Sequence, residues 1–414
     1  MTTSITEVTE SLAAHDVVAG VDTHADTHHV AILSATGARL GDRQFPATAA
    51  GYDQLLAYIR SFGRVRLVGI EGTSSYGAGL SRYLMAQRVD IREIVRPRRS
   101  QRRRGKSDPI DAYGAAQQAL AEPEALPLAK TGDGLVEQIR VLLTVRRSAI
   151  KARVAVIRQI KSLLVTAPES VRTRWAGLSE RRVIEDLATT RPGDPCASVS
   201  AATGHALRRL ARRHQYLTIE INELEEELRD LVGRAAPAMI ATKGYGVITT
   251  ATLLVTAGSN PERLRSEASF AALCGASPIP ASSGKTNRFR LNRGGDRQAN
   301  WALHQIALVR LSNDQRTKDY TARLRGNGKS KKEVLRCLKR AIAREAFHLL
   351  VHPEPVPVTE DLRVLRLNRG VTLVRAAISI GAEPARISEL ERGKRPNADL
   401  ANTYRAWLTS ALHA

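Results

Sequence analysis

The stretch VVAGVDTHADTHHVAIL (residues 17–33) decides how the front of this chain is read. Two short apolar runs, VVAGVD (17–22) and HVAIL (29–33), flank a polar turn, and Ala38–Phe45 extends them as a third strand of a meander. Working outward, Ala49–Phe62 has helical apolar spacing, VRLVGIE (65–71) is strand-like, Tyr76–Arg88 is helical and IREIV (91–95) is strand-like again. Three strands, a helix and then alternation predict α/β layers on a mixed sheet. This domain is expected over residues 15–125, closed by the proline-containing AEPEALPLAKTG (121–132).

The remainder predicts helices. Residues 133–236 form an interrupted helical stretch with breaks at TAPES and RPGDPC. In its second part Leu207, His214, Ile221 and Leu228 fall seven apart, as do Leu210, Leu217, Leu224 and Leu231. That is an a/d seam with one polar His, which serves either a helix packed within its own chain or an intermolecular coiled coil. A homo-oligomer, dimer or tetramer, is expected on the second reading. Residues 240–351 form a third, mainly helical unit, from KGYGVITTATLLVTAG to the basic amphipathic SKKEVLRCLKRAIAREAFHLLV. HPEPVPVTED (352–361) reads as a semi-extended linker to a small unit over 362–410.

Charge narrows the class of partner. In 414 residues, 63 Lys and Arg face 41 Asp and Glu, a net +22, which points to a polyanion. No apolar run approaches the roughly 18 residues of a spanning helix, so no membrane is expected. The N-terminus has neither the basic start nor the apolar core of a secretory signal. Cys196, Cys274 and Cys337 lie far apart without CxxC spacing and read as reduced thiols, so a cytoplasmic, nucleoid-associated protein is expected. Aromatics at 4% weigh against holding single strands mainly by base stacking.

Carboxylates mark the candidate chemistry. Asp22 ends the first strand and Glu71 a later one, while Asp108 and Asp111 lie i, i+3 in KSDPIDA. If the two strands are neighbours, their acids emerge at one edge, where a helix crossing the sheet brings the aspartates. Clustered carboxylates favour hard divalent cations, Mg²⁺ (or Mn²⁺), which assist phosphodiester chemistry. The plainer reading makes Asp108 a helix N-cap before Pro109, with Asp111 at N3 as in a capping box. The joint placement of all four is the layout of an RNase H-like nuclease. The group Asp22, His24, Asp26, His28, His29 lacks the Cys or Glu partner of a tetrahedral zinc set and reads as a polar turn.

GVDTHAD, LVGIEGTSSYG and KSDPIDA, in that order and spacing, resemble the D-E-D-D motifs of the IS one-ten family of insertion-sequence transposases, which includes pilin-gene invertases. The resemblance spans roughly residues 17–350 and places Asp22, Glu71, Asp108 and Asp111 at the four acidic positions of a RuvC-like domain. ASFAALCGASPIPASSGKTNRFRLNRGGDRQANWALHQIAL resembles the family's second region, whose mark is a serine before glycine in a basic loop. By itself SSGK is a turn. The family implies a serine that bonds covalently to DNA: Ser283, directly before Gly284, or the adjacent Ser282, among Lys285, Arg288, Arg290, Arg293 and Arg297. It also implies duplex DNA, at element ends and target, as substrate and a structured RNA encoded by the element as guide.

Two further basic features fit such a partner. RPRRSQRRRGK (96–106), just before Asp108, carries Arg98, Arg99, Arg102, Arg103, Arg104 and Lys106 and reads as a phosphate-backbone clamp, or as a solvated charged face. Residues 362–408 resemble an Xre-like helix-turn-helix, with Thr372 capping the first helix of the pair, Gly381 ending it, and Arg386 and Ser388 on the recognition helix. The predicted fold class is therefore α/β plus α: a RuvC-like mixed-sheet domain, a helical or coiled-coil middle, a mainly helical serine-bearing domain and a helix-turn-helix. The expected activity is DNA strand cleavage and rejoining. A junction-resolving nuclease and a non-catalytic DNA-binding regulator are the alternatives.

The charge excess generates a direct test. Affinity for duplex DNA should fall steeply with salt as counterions are released, and replacing Arg102, Arg103 and Arg104 by Gln should flatten the log K against log salt slope by roughly 2–3. A flat wild-type plot would remove the polyanion reading.

Overall fold

β-branched and small apolar residues alternating in register build the sheet on which the front of the molecule rests. The computed structural model describes residues 15–94, 107–281, 289–290, 292, 294–353, 356, 359–393 and 397–410. Its strands are β1 (Asp16–Thr23), β2 (Thr27–Ser34), β3 (Arg39–Pro46), β4 (Arg64–Glu71) and β5 (Ile91–Ile94), in spatial order β3-β2-β1-β4-β5. β1–β2 and β2–β3 pair antiparallel as a meander, whereas β1–β4 and β4–β5 are parallel. Helix α1 (Ala49–Arg60) is capped by the Thr48 hydroxyl, and α2 (Ala78–Ala86) and α3 (Asp108–Ala121) complete the layer. Each element lies where the sequence pattern predicts it.

Alternation sorts the strand residues onto two faces. Val17, Ala19, Val21, Val30, Ile32, Val68 and Ile70 form one core with Leu55, Leu56 and Ile59 of α1 and Leu80 and Leu84 of α2. On the opposite face, Val18, Leu67, Ala31 and Leu33 meet alanines 112, 115, 116 and 119 of α3. Contact there is extremely close. Gly20 of β1 and Gly69 of β4 are register partners, and a Cβ on Gly20 would fall 2.1 Å from the Ala116 nitrogen and 2.3 Å from the Ala112 carbonyl oxygen. One on Gly69 would meet the Ala119 Cβ at 2.9 Å. Two glycines facing a helix of alanines thus let α3 lie directly on the backbone of the two central strands.

The chain forms two compact units, one running to Gly134 and including Gly258–Arg263, the other made of Leu135–Ala257 and the chain from Leu264 onward. In the first unit the proline-bearing stretch does more than close the sheet. Leu126 and Ala129 are buried, Leu128 bridges to Arg92 of β5, and Asn260 and Arg263 donate to the Ala129 and Leu128 carbonyls at 3.0 Å each.

The second unit is mainly helical: α4 (Gly134–Thr166), α5 (Glu169–Arg172), α6 (Glu180–Thr189), α7 (Val199–Ala235), α8 (Pro237–Ala241), α9 (Val247–Ala257), α10 (Glu267–Leu273), α11 (Arg297–Asn313), α12 (Gln315–Gly326) and α13 (Lys331–Val351). A two-residue ladder joins β6 (Ile279–Pro280) to β7 (Phe289–Arg290). The seam of α7 is buried within the chain. Leu207 packs in a cluster with Val156 and Ile160 of α4, and Leu228 and Val232 share another with Ile139 and Leu143. Arg146 donates to Glu225 at 2.9 Å; one heptad on along α4 and one back along α7, Arg153 donates to Thr218 at 3.4 Å. α4 and α7 therefore run antiparallel. His214, the polar a position, lies half-buried here; burial, followed by the Arg153 charge, pulls its imidazole below the ordinary range. The core holding Leu228 continues into Met239, Leu253, Phe270, Leu303, Ile342 and Phe347 of α8–α13.

The last helices, α14 (Glu360–Asn368), α15 (Leu373–Ser379), α16 (Pro384–Glu391) and α17 (Ala398–Thr409), have their own core around Leu362, Ala376, Ile387, Leu390 and Tyr404. Thr372 caps α15 through its hydroxyl, and Gly381, at φ 65°, follows its end. At the centre, Arg366 forks onto Glu391 at 2.6 and 3.0 Å while the Tyr404 hydroxyl donates to Glu391 at 2.8 Å. The buried charges are mutually satisfied, so removing one partner alone would strand the other.

The glycine contact has a testable asymmetry. Gly20→Ala should destabilise the sheet unit by about 1–3 kcal/mol or more through overpacking. Gly114, on the same α3 but with nothing within 4 Å of where a methyl group would stand, should tolerate Ala and gain up to about 1 kcal/mol of helix propensity. Thermal denaturation of both variants checks this; equal effects would mean α3 does not lie on β1 as described.

Candidate active site

The parallel pairing of β1 with β4 sets Val21 against Ile70, so the next residues, Asp22 and Glu71, stand side by side at the strand ends, Asp22 paired with His29 of β2 and Glu71 with Ile94 of β5. The Thr23 hydroxyl donates to the Glu71 carbonyl at 2.9 Å and ties the two strand ends together. Asp22 faces the α3 side, as Gly20 does two residues earlier. α3 begins at this end of the sheet. Its N-cap is Ser107, which makes no side-chain capping bond, and the first turn carries both Asp108 and Asp111. The expectation that Asp108 itself caps the helix is thereby corrected: it occupies the first helical position, with Pro109 next. Acids in a first turn are favoured by the positive end of the helix dipole.

Asp22 is the buried member of the group, 9% exposed, and among the described residues its Oδ2 has no hydrogen-bond partner. Burial pushes this carboxyl above the usual aspartate value of 3.8, His24 opposes the shift, and the carboxylates of Asp111, Asp108 and Glu71 add to it. Each of the other three acids thus acts on Asp22. Donor atoms of Asp22, His24 and Asp108 all lie within 4.8 Å of one another, a grouping able to hold a metal ion.

The histidines of the turn part company. His24 faces Asp22, Nδ1 to Oδ2, at 3.8 Å. His28 and His29 belong to β2 rather than to a turn. His28 is fully buried on the opposite face, stacked on Tyr52 at 5.7 Å, and burial lowers its pKa from 6.5. His29 pairs with Asp42 of β3 at 2.8 Å. The polar-turn reading thus holds for the backbone around residues 24–26 but misses what the His24 side chain does.

Ser282, Ser283, Lys285, Arg288 and Arg293 lie outside the described residues, as do Arg98, Arg99, Arg102, Arg103, Arg104 and Lys106. In sequence the serines fall between β6 and β7, and Arg290 is exposed on β7. The described residues that follow are firmly anchored. A Cβ on Gly295 would meet the Gly275 nitrogen at 2.2 Å, so these backbones touch. Asp296 caps α11 through the Gln298 and Ala299 amides and accepts from the Thr256 hydroxyl at 3.0 Å. Asn300 donates to the Cys274 and Gly275 carbonyls at 2.9 and 3.1 Å and accepts from Lys339 Nζ at 2.6 Å. Burial lowers the Lys339 pKa. No local motif could announce this bracket, since its members lie 25–39 residues apart. Arg386 and Ser388 lie partly exposed on α16.

Comparison with known proteins agrees with this arrangement. Residues 19–167 match the DEDD-type family of IS110 transposases, and residues 237–322 match the family described as Transposase IS116/IS110/IS902. The chain is similar to the insertion element IS900 42 kDa protein of Mycobacterium paratuberculosis, 25% identical over 396 residues, covering 82% of this chain and 98% of that one. It is also similar to the mini-circle IS117 protein of Streptomyces coelicolor, 27% identical over 247 residues, covering 56% and 59%. A mixed sheet carrying an acidic site, followed by a mostly helical remainder, is here the framework of a transposase, an enzyme of DNA strand transfer. The chain belongs to the IS110 transposase family. No helix among the described residues is long and apolar enough to cross a membrane.

The raised Asp22 pKa implies a pH-dependent cost. A carboxyl harder to ionise in the folded state destabilises that state once it is ionised, so the cost is absent below the unfolded value near 3.8, grows as pH rises from there, and is complete above the folded value. In chelator-treated protein, Asp22→Asn should therefore raise Tm by a few degrees at pH 7 and lose that advantage toward pH 3.5. Melting curves across this range check it; a variant less stable than wild type at pH 7 would contradict the assignment.

Proposed function

We propose that this transposase cleaves and rejoins DNA strands with two sets of residues: a RuvC-like DEDD site of Asp22, Glu71, Asp108 and Asp111, and a serine nucleophile, Ser283 or its neighbour Ser282. The observation that carries the reading is the buried Asp22 Oδ2, without a hydrogen-bond partner among the described residues and under the charges of three more acids. An ionised group so placed is costly unless a cation joins it. The strand order β3-β2-β1-β4-β5, with acids ending both central strands, supports the RNase H-like assignment.

Mg²⁺ or Mn²⁺ fits a donor set dominated by carboxylate oxygens and would supply charge neutralisation at a phosphodiester. The remaining roles belong to the chain. Asp22 and Glu71, fixed on adjacent strands, set the spacing of the site, and α3 adds Asp108 and Asp111 from one rigid turn. In the serine step, Oγ bonds to phosphorus, the bridging bond to one deoxyribose oxygen breaks, and the hydroxyl proton leaves to solvent or a base. Rejoining reverses this with a different deoxyribose hydroxyl and restores the serine. The Asn300–Lys339 bracket and the Gly275–Gly295 contact hold the base of the segment carrying that serine.

The basic run over 96–106 clamps phosphates, a structured RNA guides target choice, and two or four copies assemble. Helices α14–α17 form an Xre-like helix-turn-helix that presents Arg386 and Ser388 to a major groove; the Thr372 cap and the Gly381 turn support this.

Variants separate the two chemistries. Asp22→Asn and Glu71→Gln should each lower cleavage at least about a hundredfold with DNA binding retained, because metal binding depends on carboxylate oxygens. Ser283→Ala should retain metal and DNA binding and lose the covalent protein–DNA adduct seen on denaturing gels of labelled substrate. If the adduct persists, Ser282 takes the role. If both serines are dispensable and the acids alone sustain cleavage, the chain acts as a metal nuclease and the serine mechanism is wrong.

A further inference from the structure

Among the described residues, His24 is the one side chain other than an acid whose donor atom joins Asp22 and Asp108 within 4.8 Å. Its position follows from the strand. Two residues beyond Asp22, it returns to the same side of β1, and the turn bond from the His24 amide to the Thr27 carbonyl, at 3.0 Å, holds it there. At 3.8 Å the Nδ1–Oδ2 separation is too long for a hydrogen bond. It lies within the span of two donors that each stand roughly 2.0–2.2 Å from one shared ion. The oxygen facing His24 is the same Oδ2 that is buried without a hydrogen-bond partner among the described residues. His28 and His29 offer no such role, His28 lying against Tyr52 on the opposite face of the sheet and His29 being paired with Asp42.

Resting on the metal-site reading above, we infer that His24 is a ligand of that metal, adding an imidazole nitrogen to the carboxylates and setting the site's preference toward Mn²⁺ over Mg²⁺. Mg²⁺ dehydrates reluctantly and is served by oxygen donors. A nitrogen donor favours transition cations, whose affinities for a given site rise along the first row. His24 is thus a specificity-determining residue of the site, distinct from the four acids that set its charge.

The test uses the full chain and Mn²⁺ as the probe. Electron spin-echo modulation of the Mn²⁺-loaded wild type should show a directly bound ¹⁴N, and His24→Gln should lose it while keeping bound Mn²⁺. Calorimetry should show the Mn²⁺ dissociation constant rising on the order of tenfold in His24→Gln, with that for Mg²⁺ changing less than about twofold because a side-chain oxygen suits it. Bound Mn²⁺ without nitrogen modulation in the wild type would overturn the inference and leave the acidic metal site standing. Modulation that persists in His24→Gln would also overturn it, by assigning the nitrogen to another histidine. Failure of the wild type to bind Mn²⁺, or binding unaffected by Asp22→Asn, would bring down the metal-site reading itself and this inference with it. Circular dichroism of His24→Gln matching the wild type excludes loss of fold as the source of any change.

Discussion

Everything in the sheet unit depends on how closely α3 can approach β1 and β4. A helix normally rides above a sheet on the side chains of both. Here the Gly20–Gly69 pair removes those side chains from the two central strands, and the alanines of α3 settle into the gap. Little hydrophobic area is buried per residue in such a contact, but its position is sharply defined, because backbone atoms rather than flexible side chains set the distance. That definition is what the acids need. Asp108 and Asp111 sit on the first turn of the same helix, so their distance from Asp22 is fixed by the glycine contact one and two turns further along.

A second constraint opposes the first. Burial of Asp22, with the charges of Asp111, Asp108 and Glu71 acting on it, makes its ionised form costly. Elsewhere in the molecule buried charge is compensated internally: Arg366 by Glu391 and Tyr404, and Arg310 by a two-pronged bond to Glu345. The contrast is informative. Among the described residues these two charges have hydrogen-bond partners, whereas the Asp22 Oδ2 at the sheet edge has none.

Much of this was legible in the sequence because it is written in periods. The strands of residues 17–95 announce themselves through runs and alternation, α1 and α2 through helical spacing, and the seam of α7 through heptads. The four acids draw notice jointly, by order and spacing, where each singly reads as a cap or a turn. What could not be read were contacts between distant residues. Gly20 and Gly69 look like ordinary strand glycines until their register is known. His24 reads as one polar residue among several in a turn, because pattern does not say which side chain turns back toward the acids. The N-cap fell to Ser107 rather than Asp108, a shift of one residue that a favourable Asp-Pro pair disguises. Asn300 and Lys339, 39 residues apart, meet only when α11 and α13 pack.

The antiparallel α4–α7 pair carries a consequence for how such molecules can change. Its rungs, Arg146 with Glu225 and Arg153 with Thr218, advance by one heptad in each helix. Material can therefore be added or removed only in matched instalments: seven residues from one helix need seven from the other, or every later rung is thrown out of phase. A paired change leaves the residues at either end facing the same neighbours as before, whereas an unpaired one of even a single residue rotates half the arm by about 100°. Length in this part of the molecule is quantised: it changes in matched steps of the two helices or breaks the ladder between them.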